Sequence, residues 1–162
     1  MKLPSKSTVA VSDAVVELRD VMPTVLDIAG VPIPDSVDGK SVLPLIRGEE
    51  TASQWRSEIH GEHFYEVFGE ESIQWVTNGK RKFIWFSGSG IEQYFDLEAD
   101  PQELHNLIAD FSRKAEISSW RDCLINYLAN REEGFVKDGK LIAGQPAGND
   151  FAWVRRLQEK RS

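Results

Sequence analysis

Residues 72–86 read Ser72-Ile73-Gln74-Trp75-Val76-Thr77-Asn78-Gly79-Lys80-Arg81-Lys82-Phe83-Ile84-Trp85-Phe86. Two strand-like runs, residues 72–77 and 80–86, flank Asn78-Gly79. Asn-Gly between such runs signals a hairpin, because a type I′ turn needs positive φ at both central residues. Alternation puts Ile73, Trp75 and Thr77 on one face, and Phe83 and Trp85 on one face of the partner strand. On the N-terminal side, residues 57–65 read as another strand. On the C-terminal side, the turn Ser87-Gly88-Ser89-Gly90 leads to a strand at residues 92–97, with Tyr94 and Asp96 on one face and Phe95 and Leu97 on the other. Asp100-Pro101-Gln102-Glu103 reads as a helical turn with proline in first position. Residues 112–131 then place Ile117, Trp120, Leu124, Tyr127 and Leu128 at steps of three and four, the stripe of a long amphipathic helix.

Upstream of the meander, Asp20-Val21-Met22-Pro23-Thr24-Val25-Leu26-Asp27-Ile28-Ala29-Gly30 reads as a short helix. Asp20 is its expected N-cap, Pro23 falls in the first turn, and Gly30 can take the positive φ of a C′ residue. Val21, Met22, Val25, Leu26 and Ile28 make it apolar on most sides, the mark of a helix buried on most sides. The chain alone is therefore expected to expose an apolar patch over residues 21–33 and to self-associate through it, unless a partner covers it. Val31-Pro32-Ile33-Pro34-Asp35 reads as extended, since a residue before proline avoids the α region. Residues 41–48 read as one or two helical turns, with Ser41 as cap, Pro44 in the first turn and Gly48 as the stop. Residues 1–10 are loop-like, and Val9, Val11, Val15 and Val16 suggest a short extended piece.

The order of elements gives an α+β fold: a small antiparallel sheet of about four strands with a long packed helix, preceded by a short helix. The expected division is a helical and loop segment at residues 1–54, the meander plus helix at residues 55–135, and a tail at residues 136–162 with a last short helix at residues 151–160. At 162 residues and 41% hydrophobic composition, with five Trp, three Tyr and eight Phe, the chain can bury a core. Its net charge of −7 argues against a non-specific nucleic-acid binder. No apolar run approaches the ~20 residues that span a bilayer, so neither nucleic acid nor membrane is an expected partner. The lone Cys123 rules out an intramolecular disulfide and reads as a structural thiol. No apolar run follows Lys2 and Lys6, so the start does not read as a secretory signal.

Candidate chemistry concentrates at His60-Gly61-Glu62-His63. It is not His-Glu-x-x-His, which needs both histidines on one helix face. His60-Gly61-Glu62 resembles the His-x-Glu of zinc deaminases, but no Pro-Cys-x-x-Cys follows. On a regular strand His60 and Glu62 share a face and His63 points away. Three readings stay open: hydrogen-bonded structural histidines, imidazoles at the rim of a site, or a metal-dependent enzyme built on His60 and His63. Gly39-Lys40-Ser41 resembles the end of a phosphate loop, but Pro34 stands where its first glycine belongs. No Gly-x-Ser-x-Gly is present, and Glu70-Glu71 and Glu132-Glu133 read as solvated turn residues.

Three segments, in order, resemble one family. Residues 16–30 are similar to the Pro-Thr-Leu-Leu-Asp-like helix and Ala-Gly that follow the catalytic core of sulfatases. Asp38-Gly39-Lys40-Ser41-Val42-Leu43-Pro44-Leu45 resembles their Asp-Gly-x-Ser-Leu-x-Pro-Leu run. Residues 75–107, with Gln93-Tyr94-Phe95-Asp96-Leu97 and Asp100-Pro101-Gln102-Glu103-Leu104-His105-Asn106-Leu107, resemble their terminal hairpin and its "Leu-Phe-Asp-Leu, Asp-Pro, Glu, Asn-Leu" ending. The resemblance is to the C-terminal part of arylsulfatase-like enzymes of the alkaline-phosphatase-like superfamily, and covers about residues 15–135. It implies sulfate-ester hydrolysis in the parent enzymes, with a formylglycine nucleophile and a calcium ion.

The family's catalytic residues have no counterparts here. Cys/Ser-x-Pro-x-Arg is absent, because none of the residues two before a proline is Ser or Cys. No Asp-Asp or Asp-Asn pair stands in for the calcium carboxylates, and the lysine-bearing Gly-Lys-x-Thr-x-Tyr-Glu element is missing. The expectation is a C-terminal sulfatase region, inactive alone, without catalytic or metal residues or a cofactor of its own. It would complete the fold and substrate rim of the full enzyme beside the catalytic domain. His60 and His63 are the candidate substrate-binding residues, since imidazoles donate hydrogen bonds to an anionic ester and Gly61 gives the strand room to bulge and turn both rings one way. The alternative is an independent binding module, with Trp85, Phe86 and the turn at residues 88–90 as an exposed aromatic platform.

Overall fold

A computed structural model of the protein describes residues 11–64 and 71–144. The expected last helix at residues 151–160 and the loop at residues 1–10 lie outside the described residues, as do Tyr65 and Glu70. The chain divides into two compact units between Ile59 and His60.

In the first unit, helix α1 spans Val21–Ile28, preceded by a single 3₁₀ turn at Leu18–Asp20. Gly30 has φ +68°, and the amides of Gly30 and Val31 reach back to the carbonyls of Asp27 and Leu26. This is the Schellman ending that a C′ glycine permits. Asp20, however, is not a side-chain cap for α1. Its carboxylate is turned into the unit instead, where Oδ1 accepts from the Lys40 amide and Oδ2 from the Glu17 amide, each at 2.9 Å. Arg56 closes on both oxygens, at 2.7 and 2.9 Å. The bond to the Glu17 amide closes a capping box on the preceding 3₁₀ turn, and Arg56, 36 residues on, takes both oxygens as well.

Gly39 explains why the Asp38-Gly39-Lys40-Ser41 run sits where it does. A Cβ at Gly39 would lie 2.0 Å from the Arg19 carbonyl oxygen, so only glycine lets the loop approach closely enough to deliver the Lys40 amide to Asp20. Ser41 donates to Asp27, and the Val42 amide donates to Thr24 Oγ1. This is a clamp on α1, with the Ser41 hydroxyl also accepting from the Leu43 amide at the start of helix α2 (Leu43–Arg47). Gly48, at φ +77°, stops α2 as expected. Trp55 donates from its indole to the Val15 carbonyl, and the cations of Lys40 and Arg56 lie over its ring. Residues 11–17 pair into no strand, and Glu17 at their end is extended.

The second unit is built on a four-stranded sheet of order β1-β2-β3-β4, with β1 Ile59–Phe64, β2 Ser72–Thr77, β3 Arg81–Phe86 and β4 Glu92–Asp96. The β2–β3 pairing sets Val76 opposite Phe83 and Gln74 opposite Trp85, and β3–β4 sets Phe83 opposite Tyr94. The hairpin is where the sequence placed it, but its turn is not type I′: Gly79 alone takes positive φ, at +82°. The Asn78 side chain closes the turn by accepting from the amides of Lys80 and Arg81. The predicted helical turn at Asp100 goes no further than one turn, because Glu103 takes φ +57° and ends it.

Helix α3 spans Lys114–Leu128. Asp110 caps the 3₁₀ turn leading into it by accepting from the Ser112 amide and hydroxyl. Ile117, Leu124 and Leu128 pack from α3 against Val76, Phe83, Trp85 and Tyr94 of the sheet. Trp120 and Cys123 pack against the edge of this core. After α3, Phe135 is wholly buried, edge-on to Trp85 at 5.6 Å, and the tail begins with a two-stranded hairpin in which Val136–Lys137 (β5) pairs with Lys140–Leu141 (β6). Among the described residues no helix is long and apolar enough to cross a membrane.

The buried face of β2 is Ser72, Gln74 and Val76, while Ile73, Trp75 and Thr77 share the half-exposed face. Trp85 is 2% exposed and belongs to the core, so the aromatic platform proposed on Trp85 and Phe86 is not a feature of this fold.

Candidate functional site

His60 and His63 both lie on β1, which stands at the edge of the sheet. The strand runs unbroken through Gly61. What glycine provides is space for a ring: a Cβ at Gly61 would lie 2.3 Å from the Trp75 indole, which covers the backbone there. His60 is half-buried, and its Nε2 lies 2.8 Å from Gln74 Oε1. Glu62 reaches the same amide, accepting from Gln74 Nε2 at 3.3 Å. His63 is exposed. His60 and Glu62 are brought together on the Gln74 amide, as the period of two requires.

Around His60 the site gathers residues from three places in the chain. Tyr127 of α3 stacks on the imidazole, with ring centroids 5.4 Å apart and planes 19° from parallel. Arg131, just beyond α3, pairs with Glu62 at 2.9 Å and with Glu133. The Glu133 carboxylate, with Glu62 beside it, pushes the Arg131 guanidinium up from its ordinary value, and Arg131 holds the Glu133 carboxyl below the usual range. Gln74 is the residue that pattern reading passed over. It is fully buried beneath the edge strand, and the signal for it was register: Gln74 shares the parity of the core residue Val76.

The other charged cluster is a brace. Arg81 of β3 meets Asp96, Glu98 and Glu116, and Arg113 meets Asp96 and Glu116. Burial pushes the Asp96 carboxyl up, but the Ala99 amide and both arginines bring it below the ordinary range. Among the described residues no group of three or more His, Cys, Asp or Glu side chains could hold a metal ion. The carboxylates that are gathered are already matched by arginines, Asp20 by Arg56, Glu62 by Arg131 and Asp96 by Arg81 and Arg113. These residues do not fit the calcium ion that the sulfatase resemblance implies for the parent enzymes.

Residues 1–129 match the family model described as N-sulphoglucosamine sulphohydrolase, C-terminal. The chain is 52% identical over 136 residues to an arylsulfatase of Clostridium perfringens, covering 84% of this chain and 27% of that protein. It is 34% identical over 163 residues to arylsulfatase K of Bos taurus, covering 90% of this chain and 29% of that protein. In structure it is similar to a 2-O GAG sulfatase, with a TM-score of 0.62 and 23% identity over 76% of this chain and 27% of that one. The chain thus spans under a third of the length of these relatives.

Proposed function

The chain belongs to the N-sulphoglucosamine sulphohydrolase C-terminal family, the C-terminal domain of sulfatases, and from that membership we propose that it completes the fold and borders the substrate cleft of a sulfuric ester hydrolase while hydrolysing no sulfate ester itself. The observation that carries the proposal is the orientation of α1. Its inward side is polar or small: Pro23 and Thr24 are buried, and Thr24 and Asp27 bond the loop at residues 40–42. Its outward side is apolar: Val21, Met22, Val25 and Ile28 are all exposed, as are Leu18 in the turn before it and Val31 and Ile33 in the chain after it. Val21, Val25 and Ile28 recur at steps of four and three, so they form one ridge. A helix whose own unit satisfies its polar side and leaves its apolar side open is built to pack on another body. The family context supplies that body, the catalytic domain.

Two results are expected from the purified chain. With an aryl sulfate and calcium it shows no turnover above a buffer control; measurable turnover overturns the assignment of catalysis to a separate catalytic domain. In light scattering it self-associates and binds a hydrophobic dye, because the α1 ridge is uncovered. A monodisperse monomer that binds no dye would contradict the docking role of the ridge.

In this proposal His60 and His63 meet the substrate at the rim. The support is their place on the edge strand, with His63 exposed and His60 held at a fixed angle by Gln74 and Tyr127. The test is a chimera in which this chain replaces the matching stretch of the Clostridium perfringens arylsulfatase. His60→Ala and His63→Ala should each lower kcat/KM by about 1–3 kcal/mol, the magnitude of a charged hydrogen bond. Unchanged kinetics in both would leave the two residues structural.

A further inference from the structure

Gln74 is a polar side chain with no exposure, in a strand whose neighbours on the same face are Ser72 and Val76. A buried amide must satisfy both of its ends, and here the partners fix which end is which. Glu62 is a carboxylate and can only accept, so the NH2 group of Gln74 faces it, at 3.3 Å. The other N–H goes to Ser72 Oγ at 3.1 Å. Ser72 can accept there because its own hydroxyl proton goes to Ser87 Oγ, which also accepts from the Ser72 amide. Ser72 and Ser87 are themselves fully buried, so bulk water does not compete for these bonds. The donors run in one direction, from Gln74 to Ser72 to Ser87.

That leaves the Gln74 carbonyl oxygen, an acceptor, 2.8 Å from His60 Nε2. An acceptor at that distance requires a proton on the nitrogen. We propose that Gln74 is a positioning residue: locked by Ser72 and Glu62, it holds His60 as the Nε2–H tautomer and fixes the ring against Tyr127. While the ring is neutral, Nδ1 is then a hydrogen-bond acceptor. A neutral His60 so held has no proton on Nδ1 to give, and donation from Nδ1 to an anionic ester requires the imidazolium. The consequence for substrate rests on the rim reading of His60; the tautomer does not.

The experiment separates the two. Nitrogen-15 NMR of the histidine-labelled chain, well above the pH of imidazole titration, reads the tautomer of His60 directly and needs no enzyme activity. The expected result is a single Nε2–H form, becoming a mixture in Gln74→Met, which keeps the side-chain length and removes the acceptor. An Nδ1–H form in the unaltered chain overturns the proposal, and that measurement holds even should the variant fail to fold. A tautomer unchanged in Gln74→Met also overturns it. In the chimera, Gln74→Met should raise KM about as much as His60→Ala, on the order of tenfold for one hydrogen bond, and the double variant should add nothing to either. Additive losses would overturn action through His60. If His60→Ala has no kinetic effect while the tautomer responds to Gln74, the rim reading falls and the positioning of the ring stands.

Discussion

Arg56→Met is expected to destabilise the chain by about 3–5 kcal/mol, the cost of leaving a buried charge without its partner. Asp20 is 2% exposed and its carboxylate accepts four hydrogen bonds, two of them from the Arg56 guanidinium. Removing Arg56 strands that charge between two backbone amides. Converting the pair to two apolar residues should not recover the loss, because the Lys40 and Glu17 amides would then be orphaned in turn. Urea unfolding followed by circular dichroism measures it. A loss under ~1 kcal/mol would mean that the pair is no stronger than a surface ion pair.

The same site sets an acid limit. Burial pushes the Asp20 carboxyl up, but Arg56 and the amides of Lys40 and Glu17 overcome that and hold it below the ordinary carboxylate value. A carboxyl whose pKa is lower folded than unfolded stabilises the fold above the unfolded value, about 3.9 for aspartate. That contribution is lost as pH falls through the folded value. Stability should drop on acidification below pH ~4, and the drop should shrink in Arg56→Met.

Trp85→Ala should cost about 3–5 kcal/mol, as large-to-small changes of buried aromatics do. The ring is 2% exposed, packed edge-on against Phe135 and within the cluster that joins β2, β3 and β4 to α3. Denaturant midpoints with an unchanged slope would give the value cleanly. A change within ~0.5 kcal/mol is what a surface platform residue would show, and that result would contradict the core packing.

The hairpin at residues 72–86 and helix α3 were legible because each rests on a period that neighbouring residues carry among themselves. Two residues per pleat gave β2 and β3, and steps of three and four gave the stripe Ile117, Leu124 and Leu128 that the core uses. Periodicity alone does not say which of two faces is buried. On β2 the larger apolar residues, Ile73 and Trp75, take the half-exposed face, while Gln74 goes inward because Ser72, Glu62 and His60 satisfy its amide. Phe135 carries no such signal for a related reason: one buried aromatic after a helix has no period, and only its edge-on contact with Trp85 shows where it belongs.

His60-Gly61-Glu62-His63 could be picked out as the densest group of chemical side chains, and strand parity already separated His63 from the other two. The partners of His60 could not be named, since Gln74 and Tyr127 are 14 and 67 residues away and meet it only across the sheet and from α3. Asp20 shows the limit from the other side. Next to a helix start an aspartate reads as the cap of that helix; here the carboxylate joins the capping box of the preceding 3₁₀ turn and a bidentate pair with Arg56, 36 residues on, which together outweigh one bond to the α1 amides. By itself, then, the sequence determined α1, α2, the four-stranded meander and α3, their order, and through their motifs the family, all of which depend on residues near one another in the chain. The tertiary structure alone decided which face of β2 is core, which way the apolar ridge of α1 points, and what holds His60, because those are settled by contacts between distant residues competing for the same polar groups.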